Sequence, residues 1–190
     1  MSDYIIFAGV NGAGKSTMYR SYRMLGDMKR INSDEILREI GGDWRIDEDQ
    51  YKAGKIAVSR IKEYLSNNIS FNQETTLATR DTIRNAKIAR ETGYYTEMHY
   101  VGVDSADLAI ERIAKRVKDG GHGIPEALVR KRYNKSIRNL LEAIKVFETV
   151  LVYDNTEMFR PIAQYHNGNE IKVVNNLPDW FRTFLEDVMI

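Results

Sequence analysis

Gly9-Val10-Asn11-Gly12-Ala13-Gly14-Lys15-Ser16 is the stretch that decides the fold of this 190-residue chain. It follows the pattern G-x-x-x-x-G-K-[ST], in which glycines allow consecutive backbone N–H groups to point into one concave, anion-binding surface. A helix that begins at such a loop adds the positive end of its dipole. The stretch therefore predicts a binding site for the phosphates of a nucleotide.

Each polar position of this loop, a P-loop, has a predicted role. We expect Lys15 to reach the β- and γ-phosphates of ATP, and the Ser16 hydroxyl to bind Mg²⁺. Because the spacing is not G-x-G-x-x-G, a dinucleotide-binding fold is disfavoured. The predicted nucleotide-binding residues belong to the loop and to the position after it: Gly9, Asn11, Gly12, Ala13, Gly14, Lys15, Ser16 and Thr17.

The segments around the loop predict an α/β fold. Tyr4-Ile5-Ile6-Phe7-Ala8 is an apolar run typical of a buried parallel strand, and residues 16–23 are predicted to form a helix. Further strands are predicted at 30–32, 69–76, 94–103 and 149–153, and helices at 35–40, 47–65, 79–92, 105–118 and 125–148, with Ser33 or Asp34 as a cap. Alternating strands and helices predict a P-loop NTPase-type three-layer sandwich with a mainly parallel sheet.

The chain is predicted to be a single P-loop kinase domain, residues 1–190, with two additions. A core over 1–157 includes a helical lid at about 105–135. Residues 158–190 form a small C-terminal appendage, in which 160–174 is predicted to be a hairpin around Asn167-Gly168-Asn169 and 177–188 a closing helix. No internal repeat or low-complexity tract interrupts this organisation.

Composition excludes several classes of partner and site. The net charge of +1 disfavours nucleic acid and an anionic membrane as partners. The chain has no cysteine, which excludes disulfides and thiolate metal sites. The N-terminal apolar run is too short for a signal peptide or a membrane span, so a cytoplasmic protein is expected.

Two acidic residues lie at or just after the ends of predicted strands, where ligands bind in parallel sheets. Asp34 is the candidate base that accepts the proton of the acceptor hydroxyl; its alternative role is a helix N-cap. Glu74 is expected to hold the acceptor or the water shell of the metal, the alternative being a strand end in solvent. A Walker-B aspartate after four apolar residues is missing, which argues against motor-type ATPases.

Basic residues flank a flexible turn, Gly120-Gly121-His122-Gly123, and predict a lid that closes on the phosphates. They are Arg112, Lys115, Arg116 and Lys118 before the turn, and Arg130, Lys131 and Arg132 after it. The alternative is a solvated charged helix face. His122 is expected to be a turn residue or a lid contact, and Asn155, after the last parallel strand, to touch adenine or to hold the P-loop.

Together these motifs resemble the zeta-toxin family of P-loop kinases, the toxins of bacterial toxin–antitoxin systems. The resemblance covers about 4–155, with order and spacing matched. Besides the P-loop, its pieces are Ile31-Asn32-Ser33-Asp34-Glu35, Glu74-Thr75-Thr76-Leu77, Gly93-Tyr94, 112–126, Val129-Arg130-Lys131-Arg132-Tyr133 and Tyr153-Asp154-Asn155.

The resemblance implies transfer of the ATP γ-phosphate to the 3′-hydroxyl of UDP-N-acetylglucosamine. It implies that Lys15 binds phosphate, Ser16 holds Mg²⁺ and Asp34 is the base. Glu74 and Thr76 face the sugar nucleotide, while Arg116, with Arg130 or Arg132, stabilises the transferring group. The family also implies an antitoxin as a possible partner.

Two features leave alternatives open. The chain ends in a hairpin and helix rather than in the long helical extension of better-known members, and 41–65 has no pattern that identifies an acceptor. The alternatives are a kinase for another hydroxyl, such as a nucleic-acid end or an antibiotic, and a nucleotide-binding module without phosphotransfer. A GTPase is disfavoured because Asn134-Lys135-Ser136-Ile137 lacks the aspartate that binds guanine.

Overall fold

The computed structural model of the chain describes residues 1–21, 26 and 28–188. Its strands are β1 Asp3–Gly9, β2 Lys29–Ile31, β3 Phe71–Thr75, β4 Tyr95–Gly102, β5 Thr149–Asp154, β6 Arg160–His166 and β7 Asn169–Val173. Its helices are α1 Lys15–Ser21, α2 Ser33–Glu39, α3 Asp47–Ser66, α4 Asp81–Glu91, α5 Ala106–Lys118, α6 Glu126–Val146 and α7 Asp179–Val188. The alternation of strands and helices is as predicted, although residues 22 and 23 of the first predicted helix lie outside the described residues.

The strands form one sheet in the order β2-β3-β1-β4-β5-β6-β7. Pairing is parallel from β2 through to β5, and antiparallel where β6 joins β5 and where β7 joins β6. The strand that leads into the P-loop, β1, therefore lies in the middle of the parallel part, between β3 and β4. The carboxyl ends of these parallel strands meet at one edge, where ligands bind in such sheets.

Alternate residues of β1 enter two different hydrophobic cores. Tyr4 and Ile6 belong to one core, whereas Phe7 packs with Met18 and Val101 in the other. Successive side chains of a strand point to opposite faces, so the sheet is buried on both sides. The fold is therefore the three-layer α/β sandwich of P-loop NTPases and kinases that the sequence predicted.

The C-terminal segment is tied to the end of β5. The hairpin of β6 and β7 extends the sheet, and the indole Nε1 of Trp180 on α7 donates to Asp154 Oδ1 at 3.0 Å. Arg160 pairs with the other oxygen of the same carboxylate at 3.2 Å. A Cβ on Gly102 would lie 2.2 Å from the Trp180 ring, so only glycine lets the helix pack here.

The cap of α2 differs by one residue from the prediction. Asn32, and not Ser33 or Asp34, is the N-cap, and its Oδ1 accepts from the backbone N–H of Asp34 at 2.9 Å. All three residue types cap helices well, so local propensity alone does not choose among them. In the described part of the chain no helix combines the length and apolarity needed to cross a membrane.

Candidate active site

The P-loop is held against β4 and α5 by contacts that only glycine permits. Gly9 has φ +133°, and a Cβ there would lie 2.0 Å from the Val101 carbonyl oxygen. Gly12 has φ +78°, and a Cβ there would lie 2.6 Å from the Ala109 carbonyl oxygen. Both positions combine a left-handed backbone with close approach of another backbone segment. The glycine pattern of the motif is thus a packing requirement as well as a conformational one.

Asn155 anchors the loop from the other side. Its side-chain Nδ2 donates to the Ala13 carbonyl at 2.8 Å, and its own backbone N–H donates to the Gly102 carbonyl at 2.9 Å. Arg112 Nη1 donates to the Asn155 carbonyl at 2.8 Å. Of the two contacts that the sequence left open for Asn155, the structure has the one that holds the P-loop.

Lys15 lies at the floor of the loop and is 7% exposed. Its Nζ donates to the Val10 carbonyl at 2.9 Å. Burial lowers the pKa of the ammonium, while the nearby carboxylates of Glu74 and Asp34 oppose that effect. A cation in a poorly solvated loop interacts strongly with phosphate oxygens, because water screens the attraction less there.

A cleft of about 290 Å³ opens in front of Lys15. It is lined by residues of the P-loop, α2, α3, the end of β3 and the lid: Asn11, Lys15, Asn32, Ser33, Asp34, Gln50, Gly54, Gln73, Glu74, Thr75, Thr76, His122, Gly123, Ile124, Pro125, Leu128 and Arg132. Of the predicted site residues, Asn11, Lys15, Asp34, Glu74, Thr76 and Arg132 therefore share one cleft.

Glu74 stands beside the loop rather than in solvent. Ser16 Oγ donates to its carboxylate, with distances of 2.9 and 3.1 Å to the two oxygens. Asn32 Nδ2 donates to the same group at 3.1 Å. Its side chain is 12% exposed, so the alternative of a solvated strand end is wrong. A hydroxyl next to a carboxylate is a set of hard oxygen donors, which suits Mg²⁺.

The strand register explains how Glu74 reaches this place. β3 pairs with β1 so that Glu74 is opposite Phe7, two residues before the loop begins. The carboxylate of Glu74 thus lies on the strand next to the P-loop strand, although the four apolar residues that precede a Walker-B aspartate are absent here. The polar residues Asn72 and Gln73 precede Glu74 instead, and Asn72 is fully buried.

Arg30 is a central residue of the site that sequence reasoning missed. Its guanidinium donates to Glu74 Oε2 at 2.7 Å and to Asn72 Oδ1 at 3.0 Å, and its Nε is 3.0 Å from Glu35 Oε1. It also stacks on Tyr19, 3.5 Å from the ring centroid. A signal existed: strand alternation sends Ile31 into the core, which leaves Arg30 on the opposite face of β2.

Asp34 lies in the first turn of α2 and lines the same cleft as Lys15. Its side chain is half exposed, and its Oδ1 lies 3.8 Å from His122 Nε2 of the lid turn. The carboxylate is also near enough to Arg132 to influence the pKa of that guanidinium. Asp34 therefore lies in the same cleft as the phosphate loop, and its role as the base stays a prediction.

The lid arginines have different environments. Arg132 lines the cleft, its Nη1 is 3.4 Å from Asn11 Oδ1, and burial lowers its pKa, opposed by Asp34. Arg116 has its Nε and Nη2 atoms buried without a hydrogen-bond partner among the described residues. Arg130 is exposed and pairs with Asp107 at 2.5 Å, outside the cleft lining. Of the two alternatives, Arg130 and Arg132, only Arg132 therefore lines the cleft in the described part of the chain.

The lid turn packs on the loop before α3 through Trp44, another residue that sequence reasoning missed. The rings of His122 and Trp44 have centroids 5.3 Å apart, and a Cβ on Gly123 would lie 2.6 Å from the indole. His122 thus contacts Trp44 from the turn of the predicted lid, and its role as a lid contact stays a prediction. Burial lowers its pKa, and the charge of Asp34 opposes that effect.

Two solved structures resemble the chain along almost its whole length. One comes from the PezAT chromosomal toxin–antitoxin system of Streptococcus pneumoniae, with a TM-score of 0.66 and 17% identity, over 98% of this chain and 83% of that one. The other is the AvrRxo1-ORF1:AvrRxo1-ORF2 structure with ATP, with a TM-score of 0.72 and 12% identity, over 98% and 63%. At such identities the likeness concerns the fold alone.

Sequence comparison gives the family. An uncharacterised protein of Haemophilus influenzae is 35% identical over 129 residues, which are 68% of this chain and 91% of that protein. The family model described as "AAA domain" matches residues 5–140, a range that contains the P-loop, Asp34, Glu74 and the lid. The chain therefore belongs to the AAA domain family of P-loop proteins.

Proposed function

We propose that the protein is an ATP-dependent small-molecule kinase that transfers the γ-phosphate to a hydroxyl group. The observation that carries this proposal is the shared cleft, which Asp34 lines together with Lys15 of the phosphate loop and with Arg132. A module that only binds a nucleotide has no need of a carboxylate facing the phosphates. Arg116 is proposed as a third cation for the transferring group: its Nε and Nη2 are buried without a partner among the described residues, and although it does not line the cleft, its charge acts on Lys15.

The proposed step is an in-line displacement. The acceptor hydroxyl oxygen forms a bond to the γ-phosphorus, its proton passes to Asp34, and the bond from that phosphorus to the bridging oxygen breaks to release ADP. Lys15, Arg116 and Arg132 neutralise the charge that spreads over the phosphoryl oxygens. Mg²⁺, when bound, would neutralise charge on the β- and γ-phosphates, and Ser16 and Glu74 are the residues that would hold it.

The acceptor that we propose is UDP-N-acetylglucosamine or a related nucleotide sugar, phosphorylated at the 3′-hydroxyl. The support is the resemblance of the motifs to zeta toxins, together with the places of Asp34 and Thr76 in the cleft lining. Because Glu74 already accepts from Ser16, Asn32 and Arg30, we assign it to the metal side of the site and Thr76 to the acceptor side.

The nucleotide base is proposed to lie against the segment after β5. Met158 is 71% exposed and Phe159 is 38% exposed, which is unusual for large apolar side chains. The Phe159 ring is 3.2 Å from the place of a Cβ on Gly14, so it adjoins the P-loop. An aromatic surface next to the phosphate site provides a stacking partner for adenine.

An antitoxin protein is part of the same proposal, since the similar PezAT structure comes from a toxin–antitoxin system. The proposal predicts that expression of the protein alone inhibits bacterial growth and that an Asp34→Asn variant does not. Growth inhibition by both forms would contradict a toxin that acts through phosphotransfer.

The test of the function is a labelled-phosphate assay. The protein is incubated with γ-labelled ATP and Mg²⁺, with and without UDP-N-acetylglucosamine, and the products are separated. We expect a labelled sugar nucleotide that the Lys15→Ala variant does not form. Label on another hydroxyl compound would support the kinase but replace the acceptor. Slow release of phosphate with no labelled acceptor would favour a nucleotide-binding module.

A further inference from the structure

Gly54 is a glycine in the interior of a long helix, where no turn requires it. It lies in α3, Asp47–Ser66, without the positive φ that would demand glycine. A Cβ on Gly54 would meet no atom within 4 Å, so packing does not exclude a side chain either. Glycine disfavours a helix relative to alanine, because its backbone loses more freedom on folding. Neither local structure nor packing among the described residues therefore explains this glycine.

The cleft supplies the explanation. Gly54 lines it, together with Gln50 one turn earlier on the same helix face. A side chain at position 54 would enter open space beside these lining residues. The glycine thus keeps part of the cleft empty along α3.

Two amides that each make a hydrogen bond within the protein line the same cleft. Gln50 Nε2 donates to the Trp44 carbonyl at 2.6 Å, which leaves the Gln50 Oε1 as an acceptor. The buried Tyr4 hydroxyl donates to Gln73 Oε1, which leaves the Gln73 Nε2 as a donor. One oriented acceptor and one oriented donor match the hydroxyl and acetamido groups of a sugar ring.

The charged and uncharged side chains that line the cleft belong to different parts of it. Its lining cations, Lys15 and Arg132, adjoin the P-loop, where Arg132 contacts Asn11. The wall formed by Gln50, Gly54 and Gln73 has uncharged side chains. An anionic group buried against that wall would lack a compensating cation, which is costly. The wall therefore favours an uncharged part of the acceptor.

We infer that the space bounded by Gly54, Gln50 and Gln73 is the subsite for an uncharged, hydroxyl-rich ring of the acceptor, and that Gly54 sets the size of the ring it admits. The inference rests on the proposed kinase function and adds to it where the sugar lies. The nucleotide part of a nucleotide sugar then extends from this subsite toward the mouth of the cleft, and Asp34 faces the ring hydroxyl that reacts.

The test uses Gly54→Ala and Gly54→Leu in the full chain, with Ser59→Leu as the matched control. Ser59 lies on the exposed side of the same helix and outside the cleft lining. Binding of UDP-N-acetylglucosamine and of UDP, which lacks the sugar, is measured by calorimetry in the presence of a non-hydrolysable ATP analogue. The KM for the acceptor and kcat are measured for the same variants.

We expect Gly54→Leu to weaken binding of UDP-N-acetylglucosamine at least 10-fold and to leave UDP binding unchanged, with Gly54→Ala intermediate and Ser59→Leu like the wild type. Equal weakening of both ligands, or no change in either, would overturn the inference while the kinase activity of the wild type stands. A wild type that labels only acceptors without an uncharged, hydroxyl-rich ring would also overturn it. A wild type that labels no acceptor at all would instead refute the proposed function, and the inference with it.

Discussion

The Ser16 hydroxyl donates to both oxygens of the Glu74 carboxylate, at 2.9 and 3.1 Å. This contact joins the first residue after the P-loop lysine to a strand end 58 residues later. It puts a carboxylate next to the hydroxyl expected to bind Mg²⁺, while Arg30 holds the carboxylate from behind at 2.7 Å. Glu74 is therefore oriented by the fold itself, before any ligand is considered.

Glu74→Gln is expected to reduce turnover about 10- to 100-fold, the usual loss when a group that supports a metal site is changed. The amide keeps the shape of the side chain but removes its charge, so a higher Mg²⁺ concentration should be needed for half-maximal activity. Titration of activity with Mg²⁺ measures both effects. Glu35→Gln is the control, because it also removes a carboxylate partner of Arg30 but has no contact with Ser16. Equal Mg²⁺ requirements in the two variants would contradict the metal role.

The two lid arginines provide a paired test. Arg132→Ala is expected to lower kcat by about 10³-fold or more, the contribution of an arginine that stabilises a transferring phosphoryl group. Arg130→Ala should leave kcat unchanged and alter folding stability by less than about 1 kcal/mol, because its pair with Asp107 is exposed to solvent. Single-turnover kinetics at saturating ATP give the comparison. A larger loss in Arg130→Ala than in Arg132→Ala would reverse the assignment.

Asp34→Asn is expected to lower kcat by roughly 10²- to 10⁴-fold, the range for loss of a general base. Affinity for ATP should change little, because the phosphates are bound by the loop. The variant should also remain folded, since asparagine fits the first turn of α2 and Asn32 still supplies the cap. Turnover and nucleotide binding are measured on the same preparation. Wild-type turnover would show that Asp34 serves only the helix.

The succession of strands and helices along the chain and the loop were predictable because they depend on local patterns. The P-loop octet and the apolar run before it predict a strand, a turn and a helix, and these fix where the carboxyl ends of the parallel strands meet. That rule made Asp34 and Glu74 candidates, since Asp34 comes shortly after β2 and Glu74 lies near the end of β3. The pairing of the hairpin with β5 was not part of the prediction, because only tertiary structure decides which edge it joins.

The contacts that finish the site were not predictable in the same way. Trp44 contacts His122, about 80 residues further along the chain, only in the folded protein, and no local pattern marks such a contact. Arg30 lies in β2, where successive side chains alternate between the two faces of the sheet, but this strand has only three residues and is too short for the alternation to be recognised from sequence. The cap of α2 was misplaced because Asn32, Ser33 and Asp34 all have similar preference for that position.

The pH dependence of stability should carry a contribution from His122. Burial lowers its pKa in the folded state, with Arg116, Arg38 and Arg132 acting in the same direction and Asp34 against them. The unfolded chain then binds a proton more readily than the folded one, so this contribution is complete above the unfolded value of about 6.5 and is lost as the pH falls below it. Between pH 7.5 and pH 5.5 the melting temperature should fall more for the wild type than for His122→Gln. An equal fall in the two proteins would contradict the contribution of His122.

Gly54→Ala should stabilise the protein while it impairs the reaction. Alanine in place of a helical glycine favours folding by about 0.5–1 kcal/mol, and the new methyl group meets no atom within 4 Å, so no packing strain offsets the gain. Chemical denaturation measures the increase, and the acceptor KM should rise in the same variant. Ala53, its neighbour on the buried side, provides the contrast, because Ala53→Gly removes a buried methyl and should lower stability. A Gly54→Ala variant that is less stable than the wild type would show that the glycine has a structural role and would remove the reason to assign it to the acceptor.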